Sequence, residues 1–207
     1  MSVTSDHTAS VLHTLCDDDL FVRFAEGDDR AFTTLYERYR ERLLGYVHSL
    51  LGNDNAAADD VFQECFLRLF RERERVRCGT ASNIVNVGGW LFRVARNLSL
   101  NQIRSGRYLA ALPPEYTEQL LVTVEEAHSG VFDDAPSEQA LMDAIAVVLE
   151  TLPAGLREVF VLREMNGLGY AETASIMGCS EEAARMRLSR ARSAIRRALQ
   201  PMFADRA

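Results

Sequence analysis

The chain has 207 residues, enough for one large domain or two small ones, and its 47% apolar content can fill a core. A formal net charge of −7 excludes a uniformly basic protein, and no apolar run is long enough for a membrane-spanning helix. Cys16, Cys65, Cys78 and Cys179 form no CxxC pair, and no histidine stands at metal-ligand spacing, so no metal or other cofactor is expected.

Charge is unevenly distributed along the chain. Tyr108 to Glu138 carries Glu115, Glu118, Glu125, Glu126, Asp133, Asp134 and Glu138 with no arginine or lysine. Trp90 to Arg107 holds arginines and no acid, and so does Arg185 to Arg197. All the basic residues are arginine, whose planar fork suits phosphate and guanine edges, although codon bias in a GC-rich genome explains the usage at least as well. The start, MSVTSDHTASVLHTLCDDD, lacks the basic and apolar regions of a signal peptide. The expectation is a cytoplasmic protein with reduced thiols and no membrane insertion.

The fold expected is all-α: two small helical domains joined by an acidic linker, the C-terminal one containing a helix-turn-helix. The boundaries are 1–16 for a flexible N-terminus, 17–108 for the first domain, 109–136 for the linker and 137–207 for the second. Asp17-Asp18-Asp19 is expected to cap a short helix through Ala25. Asp28 starts a longer one, with Phe32, Leu35, Tyr36, Tyr39, Leu43, Val47, Leu50 and Leu51 along one face. A third helix, about 56 to 73, has the stripe Val61, Phe62, Cys65, Phe66, Leu69 and Phe70, and shows Asp59, Asp60, Gln63, Glu64 and Arg68 on its other side. A loop rich in Gly, Ser, Thr and Asn spans Cys78 to Gly89.

A fourth helix is expected from Trp90 to about Ser105, with Leu91, Val94, Ala95 and Leu98 buried. Its other face, Arg93, Asn97, Asn101 and Arg104, holds no carboxylate. Solvated helix faces usually mix signs to gain i,i+4 pairs. Nucleic-acid contact and a plain solvated face fit these residue types about equally. Leu109 to Pro136 reads as a linker, with Pro113-Pro114, Ser129-Gly130 and the acids. Beyond it come a helix at about 137 to 151 and one opened by Pro153 with a core face of Leu156, Val159, Phe160, Leu162 and Met165.

The most readable stretch is Tyr170 to Leu199. Two helical patterns flank Met177-Gly178-Cys179-Ser180; Gly178 suits a helix end, Ser180 an N-cap, and Glu181 and Glu182 the first turn of the next helix. Ala184, Leu188, Ala191, Ile195 and Leu199 form its apolar face, and Arg185, Arg187, Arg190, Arg192, Arg196 and Arg197 lie around it. Two short helices around a glycine-containing turn describe a helix-turn-helix.

In order and spacing these segments resemble bacterial RNA polymerase sigma factors of the small extracytoplasmic-function (ECF) type. AFTTLYERYRERLLGYV and DDVFQECFLRLFR resemble the first parts of their region 2, GGWLFRVARNLSLNQIR their promoter-melting helix, and LPAGLREVF through RRAL their region 4. The resemblance implies a non-catalytic subunit that binds core RNA polymerase, recognises promoter DNA and helps open it, under control of an anti-sigma factor. It implies −35 contacts at Arg185, Arg187 and Arg190; Glu182, beside them, either accepts from a cytosine amino group or, the favoured reading, serves only the helix dipole. It implies −10 contacts at Arg93, Asn97, Asn101 and Arg104, with Asn83 and Asn86 beside a flipped base. It implies polymerase docking at Asp59, Asp60, Gln63 and Glu64. The acidic linker would thread toward the polymerase's nucleic-acid path or serve only as a solubilising tether. Departures from the family pattern are Gly169 for a usual Ser, Thr173 for a usual Ile, the longer Cys78–Gly89 loop, and SGRY where a denser basic run is usual. The other reading is a helix-turn-helix activator or repressor that is not a polymerase subunit. It leaves the Asp59–Glu64 and Arg93–Arg104 faces without a purpose.

Overall fold

In the computed structural model the described residues are 12–52, 54–80, 82, 84, 86–108 and 138–200, and all the secondary structure among them is helical. Residues 109–136, the acidic connector, lie outside them, as does Asn83. The chain divides into two compact units, Met1–Gly106 and Arg107–Ala207.

The first unit holds four helices. They are α1 (Asp17–Glu26), α2 (Asp29–Leu51), α3 (Asn55–Arg77) and α4 (Val87–Tyr108). Asp28 caps α2 by accepting the Arg30 N–H at 3.1 Å, and Asp54 caps α3 by accepting the Ala57 N–H at 3.0 Å. The three acids at 17–19 do not cap α1. Cys16 is the N-cap, its Sγ accepting the Asp19 N–H, because Asp17 and Asp18 are drawn to partners on other elements. The expected flexible N-terminus does not extend to residues 12–16. Leu12 is buried, and Arg38 on α2 donates to the carbonyls of His13 at 2.6 Å and Leu15 at 2.9 Å.

An aromatic cluster joins α1, α2 and α3. Phe32 meets Phe70 at 4.5 Å and Phe24 at 5.1 Å between ring centroids; Tyr36 meets Phe66 at 5.0 Å. Each such pair contributes about 0.5–1.5 kcal/mol beyond area burial. Arg73 lies over the Phe24 ring at 4.5 Å and pairs with Asp29 at 3.2 Å, tying the far half of α3 to the start of α2. That half, RERERVR, continues the helix to Arg77 instead of leaving it at Arg73, with Glu72 buried on the inner side. The loop after it is correspondingly shorter at its other end, because α4 begins at Val87 and not at Trp90. Phe92 completes the core: it is fully buried between Tyr39 at 6.3 Å and Tyr46 at 5.3 Å.

The second unit contains α5 (Glu138–Thr151), α6 (Ala154–Phe160), α7 (Tyr170–Met177) and α8 (Glu181–Leu199). A π-turn, Val161–Met165, extends α6: the Asn166 N–H donates to the carbonyl of Val161, five residues back, at 3.0 Å. The wider turn shifts the facing of its residues. Val161 becomes buried while Met165, expected in the core face, is exposed. The turn between α7 and α8 follows the sequence. Gly178 has φ 66°, and the Ser180 side chain accepts the Ala183 N–H at 3.1 Å. Gly169 precedes α7 in extended conformation, and its N–H donates to Glu172 at 3.4 Å.

Candidate nucleic-acid and polymerase interfaces

The α4 face is built by burial on the opposite side. Leu91, Phe92, Ala95 and Ser99 are turned inward, which leaves Arg93, Asn97, Asn101 and Arg104 outward; all four are exposed. At about 100° per residue these four span roughly 80° of the helix circumference and about 16 Å of its length. None has an ion pair or hydrogen bond among the described residues. The face therefore presents two guanidinium groups and two amides, groups that suit phosphates and base edges. Asn86 is less free than the sequence suggested. Its Oδ1 accepts the Gly89 N–H at 2.6 Å, so the side chain caps α4.

On α3, Asp59, Asp60 and Gln63 are exposed, whereas Glu64 is half-buried. Arg71 at 2.7 Å and Arg68 at 3.0 Å pair with one oxygen of Glu64. The Arg71 hydrogen bond, followed by that from Arg68, holds the Glu64 carboxyl below its ordinary value. Leu67, which sequence reasoning passed over, is 52% exposed and shares the outward side with Asp59, Asp60 and Gln63. Its exposure is the only signal, and it follows from the α3 stripe facing the core through Phe66 and Leu69 instead. The row of carboxylates and an amide ending in an exposed leucine combines polar and apolar contact, as protein-docking surfaces do.

On α8 the inward face is Ala184, Leu188, Ala191, Ile195 and Leu199, as the spacing predicts. The arginines around it are not equivalent. Arg185 pairs with Glu181 at 2.8 Å and lies over the Tyr170 ring at 5.0 Å. Arg163 covers the same ring at 4.0 Å. Arg192 pairs with Glu164 of the π-turn at 2.7 Å and so fastens α8 to α6. Arg187 and Arg190 have no such partner among the described residues. Arg185 and Arg187, two positions apart, project about 160° from one another, with Arg190 and Glu182 nearer the outward centre. Glu182 is exposed in the first turn, where the helix dipole favours an anion.

Among the described residues no group of histidine, cysteine, aspartate and glutamate side chains could hold a metal ion, and no helix is long and apolar enough to cross a membrane. The described cysteines are free, and burial pushes the Cys65 thiol up to about 12.

Residues 35–108 match the family Sigma-70 region 2, and residues 142–195 match Sigma-70, region 4. The RNA polymerase sigma-H factor of Pseudomonas aeruginosa is 32% identical over 200 residues, covering 91% of this chain and 96% of that protein. The chain is an ECF-type sigma factor. The ECF RNA polymerase sigma-E factor of Escherichia coli is 30% identical over 196 residues, covering 91% of this chain and 97% of its own. Two solved structures share the fold. The sigma factor RpoE of Bartonella quintana, in complex with the anti-sigma factor NepR, has a TM-score of 0.57 at 21% identity, over 82% of this chain and 96% of that one. CnrH, in complex with the cytosolic domain of CnrY, has a TM-score of 0.58 at 24% identity, over 91% and 98%.

As a sigma factor the chain binds core RNA polymerase and directs promoter-specific initiation of transcription. Its family is one of non-catalytic initiation factors. A free-standing helix-turn-helix regulator would account for residues 142–195 and leave the region 2 match unexplained. The α3 and α4 faces fall within the region 2 match, and the α8 arginines at 185, 187 and 190 within the region 4 match.

Proposed function

We propose that this ECF sigma factor divides its work among three faces. The α3 patch of Asp59, Asp60, Gln63 and Leu67 docks on core polymerase, with Glu64 shaping it through its arginine pairs. The α4 face of Arg93, Asn97, Asn101 and Arg104 holds the −10 region as it opens. The α8 helix meets the −35 element, with Arg187 and Arg190 as its uncommitted cations, Arg185 partly held by Glu181, and Glu182 serving the helix start. Asn83 and Asn86 flank the position of a base leaving the duplex, Asn86 chiefly as a cap. The domains at 17–108 and 137–207 carry these faces, with residues 109–136 connecting them.

The observation that carries this reading is the α4 face: four exposed polar side chains without a carboxylate, on a helix whose other side is core. Such a face can hold an unpaired strand by its phosphates and base edges. The chain itself catalyses no reaction and acts in the cytoplasm. The solved sigma factor RpoE is held in complex with an anti-sigma factor, and a partner of that kind controls this chain.

The test is promoter opening by reconstituted holoenzyme, followed as permanganate reactivity of unpaired thymines. Replacing Arg93 and Asn97 together by Ala should leave core-polymerase affinity within about twofold and cut opening by about tenfold or more, the loss expected for two polar contacts. Normal opening by that variant would remove α4 from the −10 region.

A further inference from the structure

The first turn of α4 is held by groups from elsewhere in the first unit. The Val87 N–H, the first amide of the helix, donates to Asp18 Oδ1 at 2.9 Å across 69 positions of sequence. Val87 is buried, so without Asp18 this donor would be buried and unsatisfied. Asp17, beside it, accepts from the Tyr39 hydroxyl at 2.5 Å and from Arg38 at 2.6 Å. The Tyr39 hydroxyl occupies the space that a Cβ on Gly88 would need, so only glycine lets this ring approach α4 so closely.

The loop between α3 and α4 has a second anchor. Ser82 Oγ donates to the buried Glu72 carboxylate at 3.2 Å, and Arg75 donates to its other oxygen at 2.9 Å. The Ile84 N–H in turn donates to Ser82 Oγ at 3.0 Å, and the Thr80 N–H to the Arg75 carbonyl at 2.9 Å. Asp18 lies outside residues 35–108, the stretch that matches region 2. Neither carboxylate belongs to the α4 face or to the α3 patch.

We propose that Asp18 and Glu72 are positioning residues for promoter opening: two carboxylates that hold Ser82 and the first amide of α4, at Val87, in place before DNA arrives. The inference rests on the reading of α4 as the helix that holds the opening strand. A helix start held in advance does not have to be fixed while a base leaves the stack, so the cost of opening is lower. Asp18 also places a carboxylate at the positive end of α4, and does so from a different helix, so the start of α4 is registered against α1. Tyr39 and Gly88 set the same registration sterically.

The experiment uses the full chain with core polymerase, on a duplex promoter and on the same promoter pre-opened by mismatches. Asp18→Ala should bind core polymerase within about twofold of wild type and open the duplex promoter about three- to tenfold more slowly, in line with the loss of a helix cap. Asp18→Asn keeps the acceptor oxygen and should open at close to the wild-type rate. Ser82→Ala, which removes both the link to Glu72 and the acceptor of the Ile84 N–H, should slow opening about twofold to tenfold, the effect of one or two hydrogen bonds. On the pre-opened template all three should approach wild type. Wild-type opening by Asp18→Ala, or the same deficit in Asp18→Asn as in Asp18→Ala, would overturn the proposal. So would a fall in core affinity that matches the fall in opening, which marks plain destabilisation. If Arg93→Ala with Asn97→Ala also opens normally, the α4 reading itself has failed; if that double variant is defective and Asp18→Ala is not, only the positioning role has.

Discussion

The helices α4 and α8 both present arginines, yet they are prepared in different ways. The start of α8 is made locally: Ser180 caps it from three residues away, and Glu181 and Glu182 sit in its own first turn. Two of its arginines are already engaged, Arg185 with Glu181 and Arg192 with Glu164. The start of α4 has a local cap as well, Asn86, but is also held by the tertiary structure, through Asp18, and its four outward side chains have no partner among the described residues. A helix with a self-contained start and partly neutralised flanks suits docking on intact duplex, where a few free cations settle position. A helix with an open polar face and an externally fixed start suits a strand whose unpaired bases must be caught in one place.

The largest effect expected comes from disconnecting the α4 side of that comparison from the polymerase. Replacing Asp59 and Asp60 by Arg reverses the charge at the N-terminal end of the patch that Leu67 closes at the other. Core-polymerase affinity should fall about a hundredfold, the order expected when opposite charges at an interface become like charges. Fluorescence anisotropy with labelled core polymerase measures it. The α8 unit should keep its helix content and its binding to −35 duplex. Unchanged polymerase affinity would mean that this patch is only a solvated face.

A smaller effect separates the arginines within α8. Arg190→Ala should weaken promoter binding about tenfold and lower the slope of log affinity against log salt by about one, as for a side chain that contacts phosphate or a base edge. Arg192→Ala should leave both unchanged. It should instead lower the stability of the second unit by about 0.5 kcal/mol, because its partner is Glu164 and the pair is partly exposed. Equal DNA-binding losses in the two variants would erase the distinction between committed and free cations.

The same local-versus-tertiary difference explains what the sequence disclosed. Gly178, Ser180 and the inward face of α8 obey rules that act over three or four residues, and so did Leu91, Ala95 and the α3 stripe. Residue types in order were enough to bring Asp59, Asp60 and Gln63 onto one helix side, and Arg93, Asn97, Asn101 and Arg104 onto another. The Asp18–Val87 hydrogen bond was illegible because nothing in either segment refers to the other. The π-turn was missed because a 3.6-residue period assumes regular winding, and so Met165 was assigned to the core. Asn86 was read for its amide chemistry, and the earlier start of α4 converts it to a cap. Arg185 and Arg187 read as neighbours in sequence but stand nearly opposite on the helix.

Thr173 offers the smallest and most selective way to sharpen the comparison. It is fully buried on α7, and its hydroxyl has no hydrogen-bond partner among the described residues. An unsatisfied buried hydroxyl is costly, whereas valine has the same shape with a methyl group in its place. Thr173→Val should therefore stabilise the second unit by about 1 kcal/mol. Trp90 is the single tryptophan and lies on α4, so the fluorescence-detected transition in urea follows the first unit. That transition should not move, while hydrogen exchange at the amides of α7 and α8 should slow about fivefold, the equivalent of that stabilisation. If the α4 transition moves by the same amount, the two helices do not belong to independently stable units. If exchange in α7 and α8 is unchanged or faster, the Thr173 hydroxyl is satisfied and its place in the core is not a cost.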